Sequence, residues 1–112
     1  MAVHEKDDLR AKVLEVKDLV QYQSGSVVSR QLIKKEVGNV TLFAFDEGEG
    51  LSEHTAPYDA LVYVYDGEAE VTISGTVFTV SKGQLVIMPA DQPHALKAKK
   101  SFKMMLVMIR SS

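Results

Sequence analysis

The chain reads as one all-β domain, a sandwich or barrel with a short helical turn near its N-terminus. Three observations lead there. Turn signals recur about every eight residues through the centre, at Gly67, Gly75 and Gly83. The residues between them alternate with period two, the repeat of a strand with two distinct faces. Beyond the N-terminal fringe, no helical periodicity of useful length occurs.

Residues Met1 to Lys12 are polar, and His4 among them reads as an ordinary exposed histidine. Lys12 to Val16 alternates, Lys17 to Gln23 has room for one helical turn, and Ser24-Gly25 breaks it. Strands are expected at 26–34 and 39–45, joined by a loop from Lys35 to Gly38. The next pair is 61–65 and 68–73. Asp66-Gly67 between them has the chemistry of a two-residue hairpin turn, because both positions tolerate positive φ. Ser74-Gly75 and Lys82-Gly83 make the following turns, and strands at 85–89, 93–97 and 102–109 complete the set.

Alternation also sorts faces. With His54 pointing inward, Ala56, Ala60, Val62 and Val64 follow it, while Leu61, Tyr63 and Tyr65 lie on the opposite face, which is also apolar. Phe102, Met104, Leu106 and Met108 alternate with Met105, Val107 and Ile109, again leaving neither face polar. Strands of this kind need cover on both sides. One cover is the interior. The other is the N-terminal strands or a second subunit, and a homodimer in which the N-terminal third helps to cover the partner is expected.

At 112 residues, residues 1–112 form a single domain whose barrel core runs from about 26 to 109. A net charge of −2 offers no footprint for nucleic acid or an anionic membrane surface, so neither is an expected partner. Lys97, Lys99, Lys100 and Lys103 cluster between two apolar runs and read as a solvated hairpin tip. With no cysteine, disulfides, thiolate metal sites and cysteine nucleophiles are excluded. The first residues carry mixed charge and no apolar core of a secretory signal, and the longest apolar run, Met104 to Ile109, is too short to span a bilayer. A cytoplasmic protein is expected.

Two segments carry the chemistry. In the first, Gly48 is followed by five residues and His54; Ala56, Ala60 and Gly67 come next in spacing. In the second, Gly83, Pro89 and His94 fall in register, with Asp91 and Ala98 between and after them. These segments, 48–67 and 83–98, resemble the two motifs of the cupin superfamily, small single-domain barrels of the jelly-roll type, built as a double-stranded β-helix. In that pattern a glycine precedes His-x-His, a glutamate and a second glycine, and a later Gly…Pro-x-Gly…His…Asn completes it. The resemblance implies that three histidines and the glutamate hold a metal such as manganese, iron, nickel or zinc. Here only His54 and His94 stand at those ligand positions, while Ala56 and Ala60 replace the second histidine and the glutamate.

Two imidazoles make a weaker and less selective metal site than three or four ligands. Glu53 and Asp59 neighbour ligand positions but have the wrong parity to replace them. Asp91 stands where the pattern has glycine, and aspartate tolerates the left-handed backbone expected there. Methionines 88, 104, 105 and 108 read as core filler rather than soft ligands. Replacing two large polar groups by alanine leaves a wider, more apolar surface, with His54 and His94 as a convergent polar pair near Tyr58. The expected site is therefore a small-organic-ligand pocket lined by His54, Ala56, Tyr58, Ala60 and His94. Its cofactor is none, or a weakly bound divalent transition metal on His54 and His94. The competing reading is a metal-dependent enzyme of the dioxygenase or isomerase kind using those two histidines, and whether the protein is an enzyme stays open. No phosphate loop, nucleophile elbow or HExxH helix is present.

Overall fold

One strand belongs to both halves of the molecule. In the computed structural model, which describes residues 8–111, β4 runs without interruption from Tyr58 to Ile73. The other strands are β1 (Val27–Lys35), β2 (Gly38–Phe45), β3 (Gly50–His54), β5 (Thr76–Ser81), β6 (Leu85–Met88), β7 (His94–Lys97) and β8 (Phe102–Arg110). Among the described residues a single 3-10 turn, Val16–Asp18, precedes them. His4 lies outside the described residues. No helix among the described residues is long and apolar enough to cross a membrane.

The first half of β4 pairs with β8 and β6, and its second half with β5 and β7, all antiparallel. Two sheets result, β1-β2-β8-β4-β6 and β5-β4-β7-β3, curled against each other with β4 as the shared spine. The fold is the expected all-β barrel of jelly-roll type, and the N-terminal helical turn is also present. Strands β3 and β5 join the set beyond the ranges that the alternation had marked.

The expected hairpin turn at Asp66-Gly67 is instead a bulge within β4. The register against β8 shifts between Val64 and Asp66, and Gly67 sits at a φ of 73°. Positive φ suits a turn and a bulge equally, which is why the dipeptide misleads. What selects the bulge is packing. A side chain at Gly67 would collide with the backbone of Ser101 and Phe102, so the strand bends there and passes from one sheet to the other. Ser74-Gly75 does make the expected tight turn, with φ values of 48° and 82°.

The interior follows the expected parity. Ala60, Val62 and Val64 are buried with Phe45, Phe102, Met104 and the second-sheet residues Ala69, Val71 and Leu96. The rings of Phe45 and Phe102 stack with centroids 4.5 Å apart, immediately beside the Gly67 bulge. Tyr65 and Met105 face outward and pack in a second apolar cluster with Leu42 and Ala44 of β2, Val28 of β1 and Val20 of the segment before it. The segment before β1 therefore covers part of its own sheet.

Lys103 departs from the reading of an exposed lysine cluster. It is only 7% exposed. Its Nζ donates to the Lys17 carbonyl at 3.0 Å and lies 5.2 Å from the centre of the Tyr22 ring. The Tyr22 hydroxyl donates in turn to Asp66 Oδ2 at 2.6 Å. Alternation along β8 points Lys103 outward, and the N-terminal segment folds over it. Burial and the bond to Asp66 raise the Tyr22 pKa above its ordinary value, so the phenol keeps the proton that it donates.

Two glycines of positive φ separate strain from packing. Gly67→Ala is expected to cost about 3 kcal/mol, combining left-handed strain with a backbone collision. Gly83→Ala, at a φ of 88° with open space around it, is expected to cost about 1–2 kcal/mol from strain alone. Urea unfolding of the two variants checks the difference.

Candidate functional site

His54 ends β3 and His94 begins β7, and the two residues are direct partners in the β3–β7 pairing. Antiparallel partners project their side chains to the same side. Their rings meet edge to face, with centroids 4.4 Å apart. His94 is also paired with Ile73 of β4, which places it well inside the second sheet, and it is 5% exposed. His54 lies at the end of a short edge strand whose register slips between Leu51 and His54, and its side chain is exposed. The expectation that both rings share one surface holds, but His54 stands at the rim rather than in the interior.

The orientation of both rings is set in the same way. His54 Nδ1 lies 2.8 Å from the Ser52 carbonyl, and His94 Nδ1 lies 3.2 Å from the Gln92 carbonyl. A carbonyl only accepts, so each Nδ1 carries the proton. Each Nε2 of the neutral ring is then left with its lone pair directed away from the backbone. For His94, burial first and the neighbouring His54 second push the pKa below the ordinary histidine value, against the opposing bond to Gln92. The neutral imidazole is thereby favoured at neutral pH.

The loop between β6 and β7 holds this end of the barrel together. Proline stands at both of its ends, Pro89 and Pro93. The Ala90 amide donates to Asp59 Oδ1 at 3.0 Å and the Asp91 amide to the Ala56 carbonyl at 2.9 Å. The Ser74 amide reaches the Pro93 carbonyl at 2.8 Å, and its hydroxyl donates to Gln92 Oε1 at 2.9 Å. Asp91 adopts a φ of 64°, the left-handed backbone expected where the motif has glycine. Asp59, expected to point away from the ligand positions, is exposed and serves this loop instead.

Ala56 is half-buried in the connection to β4 and tied to the loop that leads to His94. Ala60 is buried on the inner face of β4, flanked in register by Met88 of β6 and Met108 of β8. Tyr58, half-buried, shares the inward parity of Ala60 and stands opposite Arg110. The two histidines are thus in contact, and the three other residues are placed by strand register and by the loop. The Met88–Ala60–Met108 row went unremarked in the sequence, since only pairing between distant strands aligns it.

The donor set does not fit the metal centre of the motif pattern. Among the described residues, no group of three or more histidines, cysteines, aspartates or glutamates could hold a metal ion. Two imidazoles remain, Glu53 is exposed, and Asp59 is engaged by Ala90.

Comparison with known proteins places the chain. A family model described as "Cupin domain" matches residues 41–110. A conserved protein of unknown function from Streptococcus pyogenes is 34% identical, with a TM-score of 0.89 over 95% of this chain and 94% of that one. A cupin 2 conserved barrel domain protein from Leptotrichia buccalis is 40% identical, with a TM-score of 0.82 over 84% of this chain and 46% of its own. Among curated proteins, polyketide synthase CurC of Streptomyces cyaneus is 29% identical over 97 residues, 81% of this chain. The chain spans 63% of the length of that relative.

The His94 pKa has a consequence for stability. A folded-state value below 6.5 means that the unfolded chain binds the proton more tightly. The contribution is therefore fully present above about pH 6.5 and is lost as pH falls through that value toward the folded pKa. Urea midpoints measured from pH 8 to pH 5 are expected to fall, and His94→Gln is expected to flatten that part of the profile.

Proposed function

The chain belongs to the cupin domain family, and from that premise we propose that it binds a small organic molecule at the barrel end bearing His54 and His94. The observation that carries the proposal is the anchoring of both Nδ1 atoms by backbone carbonyls. It leaves the Nε2 atoms of two rings in edge-to-face contact as acceptors. Apolar walls with a few convergent polar atoms are the usual make-up of a small-molecule site.

The tautomer narrows the ligand. A group meeting a lone pair on Nε2 must donate, so a phenol, enol or alcohol is preferred to a ketone or a carboxylate. Ala56 and Ala60, in place of a histidine and a glutamate, favour a ligand with a carbon skeleton over a small hydrophilic one. The polyketide synthase relative supports the same class, since polyketide chains combine carbon skeletons with enolisable oxygens. That relative also supports a second reading, in which a neutral imidazole takes a proton from the bound enol or from an acidic C–H and acts as a general base.

Titration with 2-naphthol and with a β-diketone, followed through the imidazole resonances by NMR, tests the reading. Binding is expected to shift both histidines, and His54→Ala with His94→Ala is expected to weaken it about tenfold or more, the scale of one or two lost hydrogen bonds. Unmoved imidazole signals, together with stoichiometric zinc binding by the same protein, would replace the organic ligand with a metal.

A further inference from the structure

The inward-facing file of β8 is apolar until its last residue. Phe102, Met104, Leu106 and Met108 follow one another on that face, and Arg110 takes the next inward position, opposite Tyr58 of β4. Arg110 is exposed, so this cation stands at the rim of the barrel. No carboxylate lies beside it in register. Its amide donates to the Val37 carbonyl at 2.8 Å, and Asp59, the next residue along β4, has the outward parity and accepts from the Ala90 amide. Among the described residues, no hydrogen bond or ion pair engages the guanidinium.

The same rim carries the histidines. Ser111 donates to the Pro57 carbonyl through its amide at 3.0 Å and through its hydroxyl at 3.2 Å. The Asp91 amide donates to the preceding carbonyl, that of Ala56. His54 lies two residues before Ala56, His94 three after Asp91, and Arg110 one before Ser111. The connection Ala56-Pro57 therefore gathers all three side chains at one end of the barrel. Tyr58, the strand partner of Arg110, is so close to His54 in the chain that their Cα atoms are at most about 14 Å apart.

We infer that Arg110 is the anion-recognising residue of the small-molecule site, and that the ligand is a two-ended acid, with a phenol or enol at one end and a carboxylate at the other. The inference rests on the reading that the imidazole pair takes a hydroxyl donor. The two ends of the site are chemically exclusive. Neutral imidazoles with Nδ1 protonated present lone pairs, which repel a carboxylate. A guanidinium has only donors, set in a planar fork that matches a carboxylate with two parallel bonds. Tyr58 adds a hydroxyl to the same row. The net charge of −2 gives the chain no general attraction for an anion, so a local cation has to supply it. A ligand carrying both groups is thereby held in one orientation.

The test compares 2-naphthol, 6-hydroxy-2-naphthoate and the methyl ester of that acid, which share a phenol and differ at the far end. Affinities come from calorimetry and contact with the histidines from the imidazole resonances, at about pH 7.5, where the carboxylate is ionised and the phenol is not. The acid is expected to bind about tenfold more tightly than its ester. Arg110→Gln is expected to cancel that advantage and to leave the ester and 2-naphthol unchanged, whereas a merely structural arginine would weaken all three alike. Arg110→Lys is expected to restore part of the advantage, since it keeps the charge and loses the fork. Lys97→Gln, at an exposed position of the outward parity on β7, is expected to change nothing. Circular dichroism verifies folding of each variant. Equal affinity for acid and ester, or an advantage that survives Arg110→Gln, overturns the inference while 2-naphthol binding upholds the reading beneath it. If none of the three probes moves the imidazole resonances, both fall.

Discussion

The close approach of Gly67 to the Ser101–Phe102 backbone is the constraint on which the rest of the barrel depends. A strand serves two curled sheets only if it bends sharply without giving up its hydrogen bonds, and a bulge at a residue lacking Cβ allows that. On one side of the bend β4 pairs with β8, on the other with β7. The stacked Phe45 and Phe102 rings fill the space beneath it. His94 inherits its position from this arrangement, since β7 is placed by the second half of β4 and the loop before it is tied to Asp59 in the first half.

Much of this was legible in the residues. Alternation marked most strands because each buries one face, and the spacing of Gly48, His54, Gly83, Pro89 and His94 marked the barrel as a cupin. What was not legible depends on contacts between distant parts of the chain. Asp66-Gly67 reports a need for positive φ, and only the approach of Phe102 decides between a turn and a bulge. Lys103 reads as solvated in a lysine-rich stretch. Its cover comes from Lys17 and Tyr22, more than eighty residues earlier. The contact between the two histidines was legible in the spacing of the two segments, but their tautomer was not. It comes from carbonyls at Ser52 and Gln92, and any residue type would present those carbonyls.

The outward-facing residues of β8 show how one strand face serves two purposes. Lys103 and Met105 lie beneath the N-terminal segment, while Val107 and Ile109 continue the same face beyond it. A lysine is placed where a backbone carbonyl and an aromatic ring compensate its charge, and it gives way to aliphatic residues where no such groups are at hand. Burying an ammonium without partners is costly. The change of residue type along β8 therefore records where the chain supplies its own cover and where it does not.

The alanines at 56 and 60 extend the same reasoning to the inner surface. A metal centre on this scaffold needs side chains that converge from the strand of His54, from β4 and from β7. A glutamate at position 60 would lie between Met88 and Met108, a carboxylate in apolar surroundings that only a cation makes tolerable. Without the cation, alanine is the stable choice at that position, and the imidazoles keep their orientation because backbone carbonyls, rather than a metal, hold them. Two lone pairs stay directed away from the backbone.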